Sequence, residues 1–206
     1  MHATHRGLFL VALLLCMSLA GCTSNDTSSS NANSMTEEEK QLPEWSVGQN
    51  WLYTFITPQF GEDSARLVVA EIDNGTGEYV LGISSEREAQ RHAVINHNPF
   101  LGRMTIDELA VYENGEPQSV FSFPWTVGDE WSFTLLGQEW DAETQSLDNG
   151  NARVEAESSE GHELSYTFSG SKGFLERLVW RNADGQIQLR MDCLLYTSPS
   201  PRDFQV

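Results

Sequence analysis

The sequence predicts a mainly β fold, an antiparallel sandwich or half-open barrel built from two pseudo-repeats of about 80 residues. Three observations predict it. Apolar residues alternate with polar ones over many short runs, as at Tyr79, Leu81 and Ile83 or Leu164, Tyr166 and Phe168. Hairpin signals separate the runs: Asp73-Asn74-Gly75, Asn114-Gly115, Asp148-Asn149-Gly150 and Asp184-Gly185. An eleven-residue aromatic run also occurs twice, 80 residues apart.

The chain opens with a leader. Residues 1–6 carry His2, His5 and Arg6 and no acid, and residues 7–17 (GLFLVALLLCM) are almost wholly apolar. A charged start before an apolar run this short reads as a secretory signal rather than a membrane span. Leu19-Ala20-Gly21-Cys22 then has the form of a lipobox. The expectation is that residues 1–21 are removed and that Cys22 receives a diacylglyceryl group. Two acyl chains hold a protein stably on a membrane where one does not. The protein is thus expected outside the cytoplasm, lipid-anchored to the cell membrane or the outer membrane.

Residues 22–42 read as a lipidated, flexible tether. Between positions 23 and 41 the only apolar residues are Ala32 and Met35, too few to offset the entropy of ordering. Asn25-Asp26-Thr27 and Asn74-Gly75-Thr76 fit the glycosylation pattern, which counts only in a host that glycosylates its surface proteins.

The β-rich domain is expected over residues 43–192, with the first repeat at 43–123 and the second at 124–192. Trp45-Ser-Val-Gly-Gln-Asn-Trp51-Leu-Tyr53-Thr-Phe55 recurs as Trp125-Thr-Val-Gly-Asp-Glu-Trp131-Ser-Phe133-Thr-Leu135, each copy after a proline. More weakly, Ala65-Arg66 and Gly77-Glu78-Tyr79 parallel Ala152-Arg153 and Leu164-Ser165-Tyr166. Val111 to Gly115 likewise parallels the stretch from Val179 to Gly185. The period of two at Trp51, Tyr53 and Phe55 makes a strand with one apolar face, and Gly48 and Gly128 supply the turn before it. Core packing is the first reading of these aromatics, and an exposed platform for a sugar or lipid the second.

Strands are expected at 50–57, 64–73, 77–85, 89–96, 104–113, 118–123, 130–137, 152–158, 162–169, 174–182 and 186–192. The stretch 84–92 (SSEREAQRH) also suits a short helix.

The Trp-x-Val-Gly-x-x-Trp-x-Tyr/Phe run resembles a strand-entry motif of uncharacterised prokaryotic envelope lipoproteins, some of which look like the half-open barrels of lipoprotein carriers. The resemblance covers about eleven residues, twice. It implies an extracytoplasmic β domain and carries no functional residue with it.

The tail is of another kind. Residues 193–203 (CLLYTSPSPRD) resemble the translation of a transposase-type sequencing-library adapter, read in a frame that Asp192 permits. Residues 193–206 are therefore expected to be an artefact outside the domain. On this expectation the gene breaks off at Asp192, where a further repeat could begin.

Composition narrows the function. The chain has 12 Lys and Arg against 30 Asp and Glu, a net charge of −18. With no basic cluster, nucleic acid and anionic lipid headgroups are disfavoured. The acids are spread along the chain and fit no EF-hand loop. Of the three cysteines, Cys16 leaves with the leader, Cys193 lies in the tail and Cys22 takes lipid. Neither a disulfide nor thiol chemistry is expected.

The chemical motifs are sparse. The sequence has no HExxH, GxSxG or Walker loop. His92 and His97 lie near Glu86 and Glu88, but a five-residue spacing on a strand puts the histidines on opposite faces. A turn at residues 96–99 would be needed to unite them. His162 is expected in a solvated turn. Glu139-Trp140-Asp141 sets an aromatic between two acids and reads as a strand end or loop tip. No catalytic residue, metal or cofactor is assigned.

The expected function is a non-enzymatic binding or interaction module, in one variant a carrier of a hydrophobic ligand. Its contact residues would come from Trp45, Trp51, Trp125, Trp131, Tyr79, Tyr166 and Trp180. The membrane, through Cys22, and an envelope protein, glycan or hydrophobe are its expected partners. The alternatives are a surface hydrolase acting on polysaccharide or peptide, which needs a cleft of converging carboxylates, and a plain spacer repeat.

Overall fold

The computed structural model describes residues 42–84 and 98–199. The leader, Cys22, the tether with Asn25, the expected strand at 89–96, the His92 and His97 pair and residues 200–206 lie outside the described residues.

Twelve antiparallel strands form one sheet. In chain order they are β1 (Asn50–Thr57), β2 (Gly61–Asp73), β3 (Glu78–Ile83), β4 (Gly102–Thr105), β5 (Val111–Glu113) and β6 (Glu116–Gln118). Then come β7 (Glu130–Leu135), β8 (Gln138–Asp148), β9 (Asn151–Ser158), β10 (Glu163–Ser169), β11 (Phe174–Arg181) and β12 (Ile187–Thr197). Each strand pairs with its sequence neighbour, except that β1 pairs with β12 and the sheet ends at β6 and β7. Those two edges meet through side chains. Gln118 Oε1 accepts from the Thr134 N–H, and Glu113 Oε1 from the Gly137 N–H, both at 2.9 Å. The result is a nearly closed barrel.

Strict alternation makes the core. On β1, Trp51, Tyr53, Phe55 and Thr57 are buried while the residues between them are half-exposed. The inward faces of the other strands add Leu67 and Val69, Trp140, Val154, Phe168, Phe174 and Leu189, all at most 1 % exposed. Burying a large apolar side chain stabilises by about 1.5–3 kcal/mol, so this filled interior is the main source of stability.

The two halves of six strands share a local geometry. Gly48 donates its N–H to Val69 and Gly128 donates to Thr144, both at 2.8 Å. Gln49 and Asp129 accept in return from Val69 and Thr144. Both glycines have positive φ, +86° and +85°, which L-residues reach only with strain. A bulge follows each contact, between Val69 and Glu71 and between Thr144 and Ser146. Strand β2 thus matches β8. Two of the weaker parallels drawn from the sequence join different strands: Ala65 lies on β2 but Ala152 on β9, and Tyr79 on β3 but Tyr166 on β10, whereas Val111 to Gly115 and Val179 to Gly185 fall on the matching β5–β6 and β11–β12 hairpins. The cause is hairpin length. A three-residue loop joins β1 to β2, whereas only Leu136 and Gly137 join β7 to β8, so the spacing of 80 does not persist beyond the first strand.

Three other elements differ from expectation. The run 104–113 is two strands, because the Leu109 N–H bonds back to Thr105 and Leu109 takes a φ of 53°. The run 118–123 leaves the sheet at Gln118, and Val120 and Phe121 turn into the core. Strand β8 was not expected at all. Its inward positions include the small Ala142 and Thr144 and its outward ones are mostly acidic, so no apolar alternation marks it.

Strand β12 runs past Asp192, the expected end of the domain, to Thr197. There Leu195 pairs with Leu52, Tyr196 with Trp51 and Thr197 with Asn50. Leu194 and Leu195 remain 61 % and 51 % exposed, while Tyr196 packs against the core and stacks on Trp51 at 6.0 Å, so backbone pairing and this one ring hold the stretch.

Candidate functional site

The duplicated tryptophans occupy equivalent places with unequal partners. In the first copy, Trp45 and Trp51 meet edge to face at 5.1 Å and are 3 % and 0 % exposed. Both indole N–H groups donate at 2.8 Å, Trp45 to the Gly173 carbonyl and Trp51 to the Lys172 carbonyl. Those carbonyls belong to the β10–β11 turn. Tyr79 is also core. It packs on Trp45 at 4.9 Å, and its hydroxyl accepts from the Trp45 backbone N–H.

In the second copy, Trp125 is buried among Phe121, Phe123 and Phe168 and lies 6.3 Å from Trp131. Trp131 is half-buried. Its Nε1 is fully buried and has no hydrogen-bond partner. The β10–β11 turn that serves Trp51 has its counterpart in the β4–β5 turn of the other half. That turn carries Asp107 and Glu108, and with Ser119, Ser122, Phe123 and Trp131 it borders a cleft of about 220 Å³ at the β6–β7 seam.

The remaining aromatics serve the structure. Tyr166 is buried, donates its hydroxyl to the Val120 carbonyl and has its phenol pKa pushed well up by burial. Tyr53 donates to the Leu175 carbonyl at 2.6 Å; burial first, and the Cys193 thiol second, push its pKa up as well. Trp180 is half-buried, stacks on His162 at 6.2 Å and donates to its Nδ1 at 3.4 Å.

Two further concavities adjoin the second copy. One is apolar, about 400 Å³, and includes Pro43, Trp125, Leu147 and Phe168. The other is an open groove of about 660 Å³ over β7, β8 and β9, where Trp131 is ringed by Glu130, Asp141, Glu143, Glu155 and Glu157. Across the ladder Glu130 stands opposite Glu143, Glu143 opposite Glu155 and Asp141 opposite Glu157. Arg153 pairs with Glu155 at 2.7 Å, and Ser132 donates to Asp141 at 2.8 Å.

Comparison with protein-family models and with curated proteins finds no match.

The chemistry of the acids follows from their placement. Glu139 and Asp141 point outward from β8, while Trp140 between them points inward and donates to the Leu135 carbonyl at 2.9 Å. The aromatic therefore does not separate two converging carboxylates. One acid is well held. Glu78, 7 % exposed, accepts from Thr76 at 2.8 Å and pairs with Arg103. Hydrogen bonds from the Tyr112 hydroxyl first and Thr76 next, with Arg103 after them, lower its pKa. That network joins β3, β4 and β5 and is spent within the fold. Among the described residues, no group of three His, Cys, Asp or Glu side chains is set to hold a metal ion.

The sequence reading chose seven aromatics, and among them Trp131 has a buried Nε1 without a hydrogen-bond partner. It did not find Ser119, Ser122 or the Asp107-Glu108 turn. Nothing in a linear pattern signals them, because the seam joins elements from the two halves.

Proposed function

We propose that this chain is a non-enzymatic binding module, held outside the cytoplasm by lipid on Cys22, that meets its partner through the outer surface of the barrel. The filled interior carries this reading. Trp51, Tyr53, Phe55, Phe168 and Phe174, each at most 1 % exposed, take the space that a barrel-type carrier gives to its hydrophobe. A ligand inside would have to displace close-packed aromatics, at several kcal/mol for each large side chain. The seam and the faces beside it remain for a partner. A hydrolase needs two carboxylates converging on one bond, whereas the acids of β8 and β9 stand side by side on a solvated face.

The anchor is tested by expressing the full chain with a clickable fatty-acid analogue. The expected result is a labelled protein in the membrane fraction, and an unlabelled, released one for Cys22→Ala. A Cys22→Ala protein that kept its label or stayed with the membrane would overturn the lipid anchor.

A further inference from the structure

The two halves leave one junction zipped and its counterpart open. On β1, Asn50 and Leu52 pair with Thr197 and Leu195 of β12. Their counterparts eighty positions on are Glu130 and Ser132. Among the described residues no strand serves these, because β7 ends the sheet and β6 stops at Gln118. The ladder fixes which backbone groups this leaves over. Successive residues of a strand direct their N–H and C=O to opposite sides. Asp129 bonds to Thr144 on β8, and the Thr134 N–H bonds the other way, to Gln118. Glu130 and Ser132, in phase with Thr134, therefore present their N–H and C=O to the seam.

A second donor is found at the same place. Trp131 Nε1 is buried beside the cleft without a partner, an arrangement that a folded protein leaves unmade only at a cost. Its counterpart in the other half, Trp51, donates to a backbone carbonyl. That carbonyl, of Lys172, belongs to the β10–β11 turn and not to β12, so the seam lacks two separate things, an extended strand along β7 and an acceptor for the indole.

We propose that the open half of the β6–β7 seam takes an extended basic peptide, which adds to β7 through Glu130 and Ser132 and lies beside the Trp131 indole. The peptide would cover about three residues, as residues 195–197 cover Asn50 to Leu52. Of those residues Leu195 is 51 % exposed and Tyr196 stacks on Trp51, so a strand there seats one side chain on the tryptophan and otherwise pairs through its backbone. Charge selects the partner. Asp107 and Glu108 border the cleft, Glu130 lies on its edge strand, and the whole chain carries −18. A second copy would bring the same −18 and be repelled, whereas lysine or arginine would be drawn in.

This inference rests on the binding-module reading, and one titration tests it separately. The ¹⁵N-labelled full chain is titrated with a capped hexapeptide of alternating lysine and valine, with its glutamate–valine analogue as control. The expected result is saturable shifts of the Trp131 indole proton and the Glu130 and Ser132 amides by the lysine peptide alone. Ser132→Pro, which removes an edge N–H at a position where proline is tolerated, is expected to weaken binding about tenfold or more, with an unchanged circular dichroism spectrum. Equal binding of the acidic peptide, or no shift at these three groups, overturns the proposal. Shifts confined to other residues overturn the seam and leave the binding module standing. Concentration-dependent broadening of the same amides without peptide assigns the seam to a second copy and overturns the peptide.

Discussion

The indole N–H of Trp51 reaches across 121 positions of sequence to donate to the Lys172 carbonyl at 2.8 Å. This bond ties β1 to the β10–β11 turn, and it has no counterpart at Trp131. Trp51→Phe therefore loses a buried hydrogen bond and part of a fully buried ring, which should cost about 2–4 kcal/mol. Trp131→Phe has no bond to lose and a half-exposed ring, so less than about 1 kcal/mol is expected. Urea unfolding of the two variants measures the difference.

The closure of the barrel through β1 and β12 gives a second expectation. A chain ending at Asp192 lacks Leu195 and Thr197, which face Leu52 and Asn50. The start of β1 then becomes a bare edge, with the aggregation hazard of any unpaired strand. In native-state hydrogen exchange, the amides of Asn50 and Leu52 should lose protection by about tenfold or more per lost bond. Amides facing β2, such as Trp51, should change little. Equal loss along both sides of β1 would mean that the last residues of β12 stabilise the whole strand and not its edge alone.

Much of this architecture is legible in the sequence where side-chain chemistry is local. The alternation at Trp51, Tyr53 and Phe55 and the glycines at 48 and 128 announce strand entry. Asp73, Asn114, Asp148 and Asp184 lie at or beside turns. Strand β8 is illegible because, after Trp140, its inward positions are the small Ala142 and Thr144 and no run of apolar residues alternates along it. The seam is illegible for a different reason. The strand that would extend along β7 ends at Gln118, where Val120 and Phe121 turn into the core.

The outward face of β7, β8 and β9 should be improvable. Glu143 lies between Glu130 and Glu155 on neighbouring strands, and like charges directly opposite each other destabilise by about 0.2–1 kcal/mol per pair. Glu143→Gln relieves two such pairs. Its midpoint in thermal unfolding at low salt should rise by a few degrees, about 1 kcal/mol in total. Added sodium chloride should narrow the gap to wild type, since exposed charges are screened. Glu155→Gln should gain less, because Arg153 already compensates Glu155.

Acid unfolding should report on Glu78. Its carboxylate is held below the usual value by Tyr112, Thr76 and Arg103, in that order. A group with a depressed folded pKa binds protons more readily when unfolded. Its contribution is therefore complete above the unfolded value, near 4.5. It is lost as the pH falls from there through the lower folded value. Asp73 has the same sign, through the backbone N–H groups of Gly75 and Thr76. Glu78→Gln removes one of the two titrations. Urea midpoints taken from pH 6 to pH 2 should fall less steeply for Glu78→Gln than for wild type below about 4.5, and run parallel above it. Tyr112→Phe removes the largest of the three influences and should flatten the acid limb in the same direction by a smaller amount. Arg103→Met, at a side chain 57 % exposed, should flatten it least, because a solvated guanidinium holds a carboxylate weakly. The reverse ranking would mean that charge rather than hydrogen bonding sets the acidity of Glu78.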